Sequence, residues 1–464
     1  MRGLICIPYV LTMAALSCYA QESHLQSDFR REAEDFQKSC SSFNLKSMAS
    51  CGQVLFTEAP LHIAVGSLAP QNGIGFGPAF VAHSTPNEHW RLSWNADAVG
   101  TMNGSWRAGV YMKAIRTPVV TITPVISSGP TPPPSNLTVR ESPVFNLYTQ
   151  AISLNTIDYF GLGPSTSRSA RAIFGIRQTI VGGNVIFPIV PKLKLSLFGE
   201  VNGRFVAVRG NTGQSSPSIE QLYSPAAAPG LVSQPGFAQF GEGIRMRPAL
   251  LSNHLQLNYQ VTFQEFLAPG DSTYSFNRFT TDLTHDFPLY RNQAARRARD
   301  FNGPDECSSD VHTDSCPAVS RNREGTISLR FLLSESFTSA GHVVPFYFQP
   351  TLGGSDINGN QLLPSYQDYR FRAPNLMMFR ASFEHSVWGP LGFLFLVDEG
   401  KVAMTRGDLD FSHMVHSFAT GLTLRAGGFP QVSLLFAWGG NEGTHTIAWM
   451  NSSLLGGSAR PAFY

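Results

Sequence analysis

The run His254-Leu255-Gln256-Leu257-Asn258-Tyr259-Gln260-Val261-Thr262-Phe263-Gln264 decides the fold. Leu255, Leu257, Tyr259, Val261 and Phe263 alternate with polar residues, and a β pleat turns that alternation into one apolar and one polar face. The stretch Lys192 to Val206 repeats it, with Leu193, Leu195, Leu197, Val201 and Phe205 against Lys192, Lys194, Ser196, Glu200, Asn202 and Arg204, broken only at Phe198 and Val206. Trp90, Leu92, Trp94, Ala96 and Ala98 alternate with Arg91, Ser93, Asn95 and Asp97 in the same way. A soluble antiparallel sandwich also alternates, but runs longer than ten residues exceed the ~5–6 of soluble strands and match a tilted strand crossing a bilayer. Open edges cannot be satisfied in hydrocarbon, so strands in a membrane must close into a barrel. Outward Trp90, Trp106, Tyr259, Trp438 and Trp449 would then supply interfacial aromatic girdles.

The rest of the composition agrees with an all-β chain. Of 464 residues only 14% are charged, 11% are aromatic, and there are 42 Gly and 31 Pro, many turns and few helix formers. The net charge of +2 comes with no basic tract, so nucleic acid is not an expected partner. Downstream of residue 20, nothing supplies the ~18–20 consecutive apolar residues of a membrane helix.

Arg2, the apolar run Leu4 to Leu16 and small residues around Ala20 read as a secretory signal over residues 1–20. A membrane helix and a lipoprotein site at Cys18 are the competing readings. Residues 21–60 form a short periplasmic segment with a charged stretch, Asp28 to Lys38, suited to a helix, and the barrel is expected over 61–464. Cys40, Cys51, Cys307 and Cys316 fall in two short spacings, which suggests two local disulfides in an oxidising compartment. Zinc is the alternative, against the absence of C-x₂₋₄-C spacing.

Sixteen or seventeen strand candidates occur, Leu61 to Gly66 and Val144 to Ile152 being the weakest, and the even-number rule selects sixteen. Four long connections are expected at 117–143, 209–237, 288–323 and 353–374. The first holds an extended proline tract, Pro132 to Pro134. The third holds Arg291, Arg296, Arg297 and Arg299, either a solvated loop or a contact for anionic lipid headgroups.

The last quarter carries an ordered series: Leu352-Gly353-Gly354, Leu363-Pro364-Ser365-Tyr366, Tyr369-Arg370-Phe371-Arg372, Phe383-Glu384, Gly389-Pro390-Leu391-Gly392 and Phe395-Leu396-Val397-Asp398-Glu399-Gly400-Lys401-Val402. With Asn72 to Gly77 and Asp158 to Gly163, it resembles the barrel half of the bacterial surface antigen family, the outer-membrane-protein-85 superfamily of insertases and two-partner secretion transporters. The resemblance implies that 353–374, with five strands after it, is the lumen-inserting loop, acting as plug or gate. It also implies that Glu384 and Asp398 are the wall acids facing that loop. The family's loop tip reads arginine, glycine, aromatic, and here Pro364, Ser365 and Tyr366 stand instead. Arg370 or Arg372 is therefore expected to supply the missing charge, with both arginines simply lining a hydrated pore as the other reading. Residues 21–60 are too short for the family's periplasmic modules, which implies a barrel dependent on another subunit or client polypeptide.

Three functions follow as expectations. The first is an outer-membrane insertion or translocation barrel; the second is a passive pore or structural surface barrel, lined by residues such as Lys192, Lys194, Glu200 and Arg204. The third is a lipid hydrolase, which needs a nucleophile and base. Its nearest material is His413, His416 and Ser417, or His385 and Ser386, but neighbours on a strand point to opposite faces and no G-x-S-x-G elbow occurs. No catalytic, metal or cofactor site is expected, and outer-membrane lipids are the expected surroundings.

Overall fold

The computed structural model describes residues 24–40, 60–116, 142–210, 216–251, 254–296, 319–388, 391–424, 432–440, 442–450 and 461–463. A helix, α1 (His24–Ser39), precedes the sheet. The strands are β1 (Leu61–Ser67), β2 (Ile74–Asn87), β3 (Trp90–Thr101), β4 (Trp106–Arg116), β5 (Val144–Tyr159), β6 (Ala172–Val190) and β7 (Leu195–Gly210). Next comes β8, in two pieces, Phe237–Met246 and Ala249–Leu250, both paired with the same neighbour and separated at Pro248, which has no N–H for the ladder. β9 (Leu255–Leu267), β10 (Phe276–Arg296), β11 (Val319–Phe337), β12 (Asn375–Trp388), β13 (Leu391–Ala403), β14 (Val415–Leu424), β15 (Val432–Gly440) and β16 (Gly443–Met450) complete it.

Each strand pairs antiparallel with the next in sequence, so the described residues form one sixteen-strand up-and-down β-barrel sheet. Both weak candidates are strands, β1 and β5. The third expected connection is shorter than 288–323: the β10–β11 ladder continues from Pro288↔Thr326 to Arg296↔Val319, because two long strands that keep pairing satisfy their backbone groups without a loop. Arg291 and Arg296 therefore lie on strand, while Arg297 and Arg299 lie outside the described residues, as do Cys51, Cys307, Cys316 and the expected signal 1–20. Cys40 is disulfide-bonded.

The period-two pattern sorts by face as expected. Outward positions carry the exposed apolar side chains Val110, Leu147, Val181, Val201, Phe205, Ile244, Leu422 and Leu434. Inward positions carry Arg107 with Asp97, Gln178, Asn202, Arg204, Gln239 and Asp398, all buried, and the more accessible Asp282–Arg330 pair. Phe198 and Val206, the two breaks in the alternation, share the inward face, and Val206 packs into the main core.

That core lies at one end, where the connections 68–73, 160–171, 216–236, 268–275 and 338–374 meet. Phe346, Tyr347 and Phe348 stand at its centre. Phe346 meets Tyr159 and Phe174 edge-on with centroids 5.2 and 5.1 Å away, and Phe348 meets Phe237 at 5.0 Å. Backbone bonds tie the loops together: Phe346 N–H to Pro229 O at 2.8 Å and Val343 N–H to Thr273 O at 2.8 Å. Buried Arg278 donates to Phe348 O at 2.6 Å and lies over the Phe266 and Phe276 rings. A cap of loops with its own aromatic core thus covers this end.

Candidate functional site

The connection from β11 to β12 is the longest fully described one, and it turns back into the barrel. After the Phe346–Phe348 turn, a two-residue ribbon pairs Thr351–Leu352 with Phe371–Arg372. Gly353 and Gly354 follow with φ of 104° and 57°. A Cβ on Gly353 would stand 2.5 Å from the Arg370 Cβ and 2.8 Å from Gln367 O, so glycine is required there by both sign of φ and space. Between the ribbon strands the chain makes its tip, Leu363-Pro364-Ser365-Tyr366, all of it buried.

The tip is held against the inward side of β12 to β15. Asp398, 0% exposed, accepts the Leu363 backbone N–H at 2.9 Å. Its two oxygens also take a bidentate pair from Arg380 of β12, at 2.7 and 2.6 Å. Arg380 donates in turn to Gln361 O at 2.7 Å, so one guanidinium bridges wall acid and loop. Ser417 Oγ of β14 accepts the Ser365 N–H at 2.8 Å. Tyr366 packs over Gly440 and edge-on to Phe371, 5.2 Å between centroids.

The expected role of Arg370 and Arg372 as the charge facing Asp398 is corrected by this arrangement: Arg380, one strand away and in register with Asp398, already fills that place. Arg370 instead forms a buried ion pair with Glu442, donates to Thr166 Oγ1 at 2.6 Å, and lies over Phe160 and Phe371. Arg372 donates to Phe346 O at 2.7 Å and lies over the Tyr159 and Phe346 rings, so it joins ribbon to cap. Both are buried and neither lines a hydrated pore. Glu384 sits on the inward row of β12, where Thr423 Oγ1 donates to it at 3.4 Å.

Asp368, in the same loop, accepts the Ser355 N–H at 2.8 Å. Burial lifts its carboxyl, and the nearby Asp158 carboxylate lifts it further, to about 6, against the lowering bonds from Ser355 and Gln71. Gln71 also donates to Asp158 at 2.8 Å, which ties loop 68–73, β5 and the infolded loop into one polar contact.

A second inward attachment was absent from the expected site. Residues 461–463 return to the interior, where Arg204 donates to Ala462 O at 2.8 Å and to Phe463 O, Gln178 donates to Phe463 O at 3.2 Å, and Phe463 N–H reaches Asn358 of the infolded loop at 2.7 Å. Loop and segment together connect β12–β15 to β6 and β7 across the interior. Arg204 was readable as an inward polar residue; its partner, distant in sequence by 259 positions, had no local signal. Glu200, also expected to line water, accepts the Tyr148 hydroxyl at 2.7 Å, and Lys192 and Lys194 belong to the turn before β7.

The hydrolase candidates separate by face. His416 stands outward, its ring 5.8 Å from Phe418, while Ser417 points inward to the loop. His413 lies in the preceding connection with φ of 53°.

No protein-family profile matches the chain, and no curated protein matches it by sequence. Among solved structures it is similar to CdiB from Acinetobacter baumannii at 10% identity and TM-score 0.45, over 83% of this chain and 57% of that one. BamA from Haemophilus ducreyi lacking POTRA domains 1–3 aligns at 11% and 0.46, over 84% and 68%. CdiB from Escherichia coli aligns at 11% and 0.45, over 85% and 60%. The chain spans less than two thirds of the length of either CdiB.

Proposed function

We propose that the chain is a barrel of the bacterial outer membrane, of the insertion or translocation kind, with the loop 353–374 as its internal gate. The membrane setting is supported by the outer face. The rows Trp90↔Arg116 and Gly100↔Trp106 lie ten residues apart on β3 and β4. At ~3.3 Å per residue and ~40° of tilt that separation is ~25 Å, the height of a lipid-facing apolar band. Trp90 meets Phe145 at a tilt, 5.8 Å between ring centroids, at one end and Trp106 stands at the other, with outward apolar residues between them.

The gate reading rests on one observation: the loop tip is bonded to the inward wall through Asp398 and Ser417. A client polypeptide, or a periplasmic subunit that delivers one, would act on that loop, in keeping with the sequence resemblance. A passive pore is the second reading, favoured by accessible inward residues such as Asn258 and Gln260. Conductance of the purified protein in planar bilayers separates them. The gate requires a mostly closed wild type that opens on deletion of residues 353 to 374, whereas a steady wide pore in the wild type overturns it.

A further inference from the structure

Two outward arginines crown the lipid-facing surface near the capped end. The row Trp106↔Ser153↔Arg177↔Ala207 crosses β4 to β7, and Arg209 follows Ala207 by two on the same face. Diagonal positions of this kind on neighbouring strands lie ~7–8 Å apart, close enough to share one ligand. The Arg177 guanidinium lies over Trp106, 5.9 Å from its ring, which puts it at the aromatic boundary of the apolar band. Arg209 donates to Ser153 Oγ at 2.8 Å, Asn155 Oδ1 at 3.1 Å and Leu154 O at 3.4 Å, every bond from Nη2. Its Nη1 and Nε make no hydrogen bond among the described residues.

Neither arginine forms an ion pair among the described residues, although like charges this close repel. The carboxylate of Glu220 lies on the other side of β7, against inward-facing Gly210, where it accepts from Ser218. Both guanidiniums are solvent-exposed.

Directly below this row on the outer face, the next positions are small: Ala108↔Ala151↔Thr179. With Phe80, Ala96 and Ala98 they line a shallow apolar groove of about 510 Å³. Charge above and a recess of small residues below match an amphiphile with an anionic head and hydrocarbon tails.

We propose that Arg177 and Arg209 bind the phosphate of an anionic membrane lipid, whose acyl chains lie in the Ala108–Ala151–Thr179 groove. The phosphate would take Nη1 and Nε of Arg209 and the guanidinium of Arg177, the planar donors suited to phosphate oxygens. This inference rests on the membrane setting proposed above.

Native mass spectrometry of the folded protein, equilibrated with equal phosphatidylglycerol and phosphatidylcholine, tests it. The wild type should retain the anionic lipid preferentially, and each of Arg177→Ala and Arg209→Ala should lose about fivefold of that preference, at about 1 kcal/mol per basic residue. Arg247→Ala, which removes the same charge between the two pieces of β8, should leave it unchanged. Ala151→Phe fills the groove with both arginines intact and should also weaken retention. Preference that survives the double arginine variant, or is absent from wild type that inserts into vesicles and migrates as a folded barrel, overturns the site. Complete displacement by millimolar inorganic phosphate overturns it as a lipid site. Failure of the wild type to insert at all sinks the membrane setting instead, and heat-modifiable migration of every variant excludes misfolding.

Discussion

The Asp398 carboxylate of β13 accepts the backbone N–H of Leu363 at 2.9 Å, so the wall grips the infolded loop by its main chain. A contact to a backbone amide tolerates any side chain at the loop position. The tip can therefore read Pro364-Ser365-Tyr366, with no arginine, and still be anchored. The cation that a fully buried carboxylate demands comes from Arg380 beside it in the wall.

Removing both partners should cost less than the two single removals added together. Asp398→Ala leaves Arg380 with only Gln361 O, beside Arg330 in register on β11, and leaves the Leu363 N–H unbonded. Loss of one member of a buried pair destabilises by about 3–5 kcal/mol. The double variant with Arg380→Ala is expected to be less destabilised than the sum of the singles. Urea unfolding of the detergent-solubilised barrel measures this, and strict additivity would contradict the coupling. Both single variants should also show longer open times in bilayers than wild type.

Backbone shape in the loop offers a second handle. Gly353→Ala forces a Cβ against Arg370 and Gln367 at a φ that L residues avoid, a strain of about 1–3 kcal/mol. Gly341→Ala, also at positive φ but with nothing within 4 Å, keeps only the conformational part. Protease sensitivity of the 353–374 region should therefore rise more in the first than in the second. Equal sensitivity would show that the packing at Gly353 is not what shapes the loop.

The barrel was legible because period-two alternation is a local property: His254 to Gln264 predicts a strand with its faces assigned, and Leu255–Leu267 is that strand. The resemblance placed the loop 353–374 ahead of five strands, and five strands, β12 to β16, follow it. What the residues beside the loop do was not. Arg380 reads as one more polar inward residue of β12 until its register with Asp398 is known. Arg370, just before the short ribbon, and Arg372, on it, are two apart, yet one turns to Glu442 and the other to Phe346, because loop direction carries no periodicity to read. The Arg204 contact to residues 462 and 463 depends wholly on the curvature that brings distant chain segments together.

Loop attachment should depend on pH through Asp368. Its carboxyl is lifted to about 6 in the folded protein, chiefly by burial. A raised acid binds more protons folded than unfolded between about 4 and 6, so the folded arrangement is favoured at the lower end and loses stability as pH rises through that window. The attached loop is thus expected to be more protected from protease at pH 5 than at pH 7.5. Asp368→Asn keeps an oxygen for the Ser355 N–H and removes the titration. It should reduce the pH dependence of protection in this range to what the likewise raised Asp158 carboxyl contributes; an unchanged pH dependence in the variant would remove Asp368 as its source.

Arg204 should control how firmly residues 461–463 stay inside. It is 1% exposed, and besides the carbonyls of Ala462 and Phe463 it donates to Asn202 Oδ1 at 3.0 Å and to Gln239. Arg204→Ala removes all these bonds at once, while Arg204→Lys retains the charge without the planar fork that reaches wall and segment together. A cysteine placed by Phe463→Cys, at a position 1% exposed, should react slowly with a membrane-impermeant maleimide in the otherwise wild-type barrel. Its rate should rise at least about tenfold with Arg204→Ala, the equivalent of one lost charged hydrogen bond at about 1.5 kcal/mol. Arg204→Lys should fall between the two. A rate in the Arg204→Ala background equal to wild type would show that Gln178 and Asn358 suffice to hold the segment.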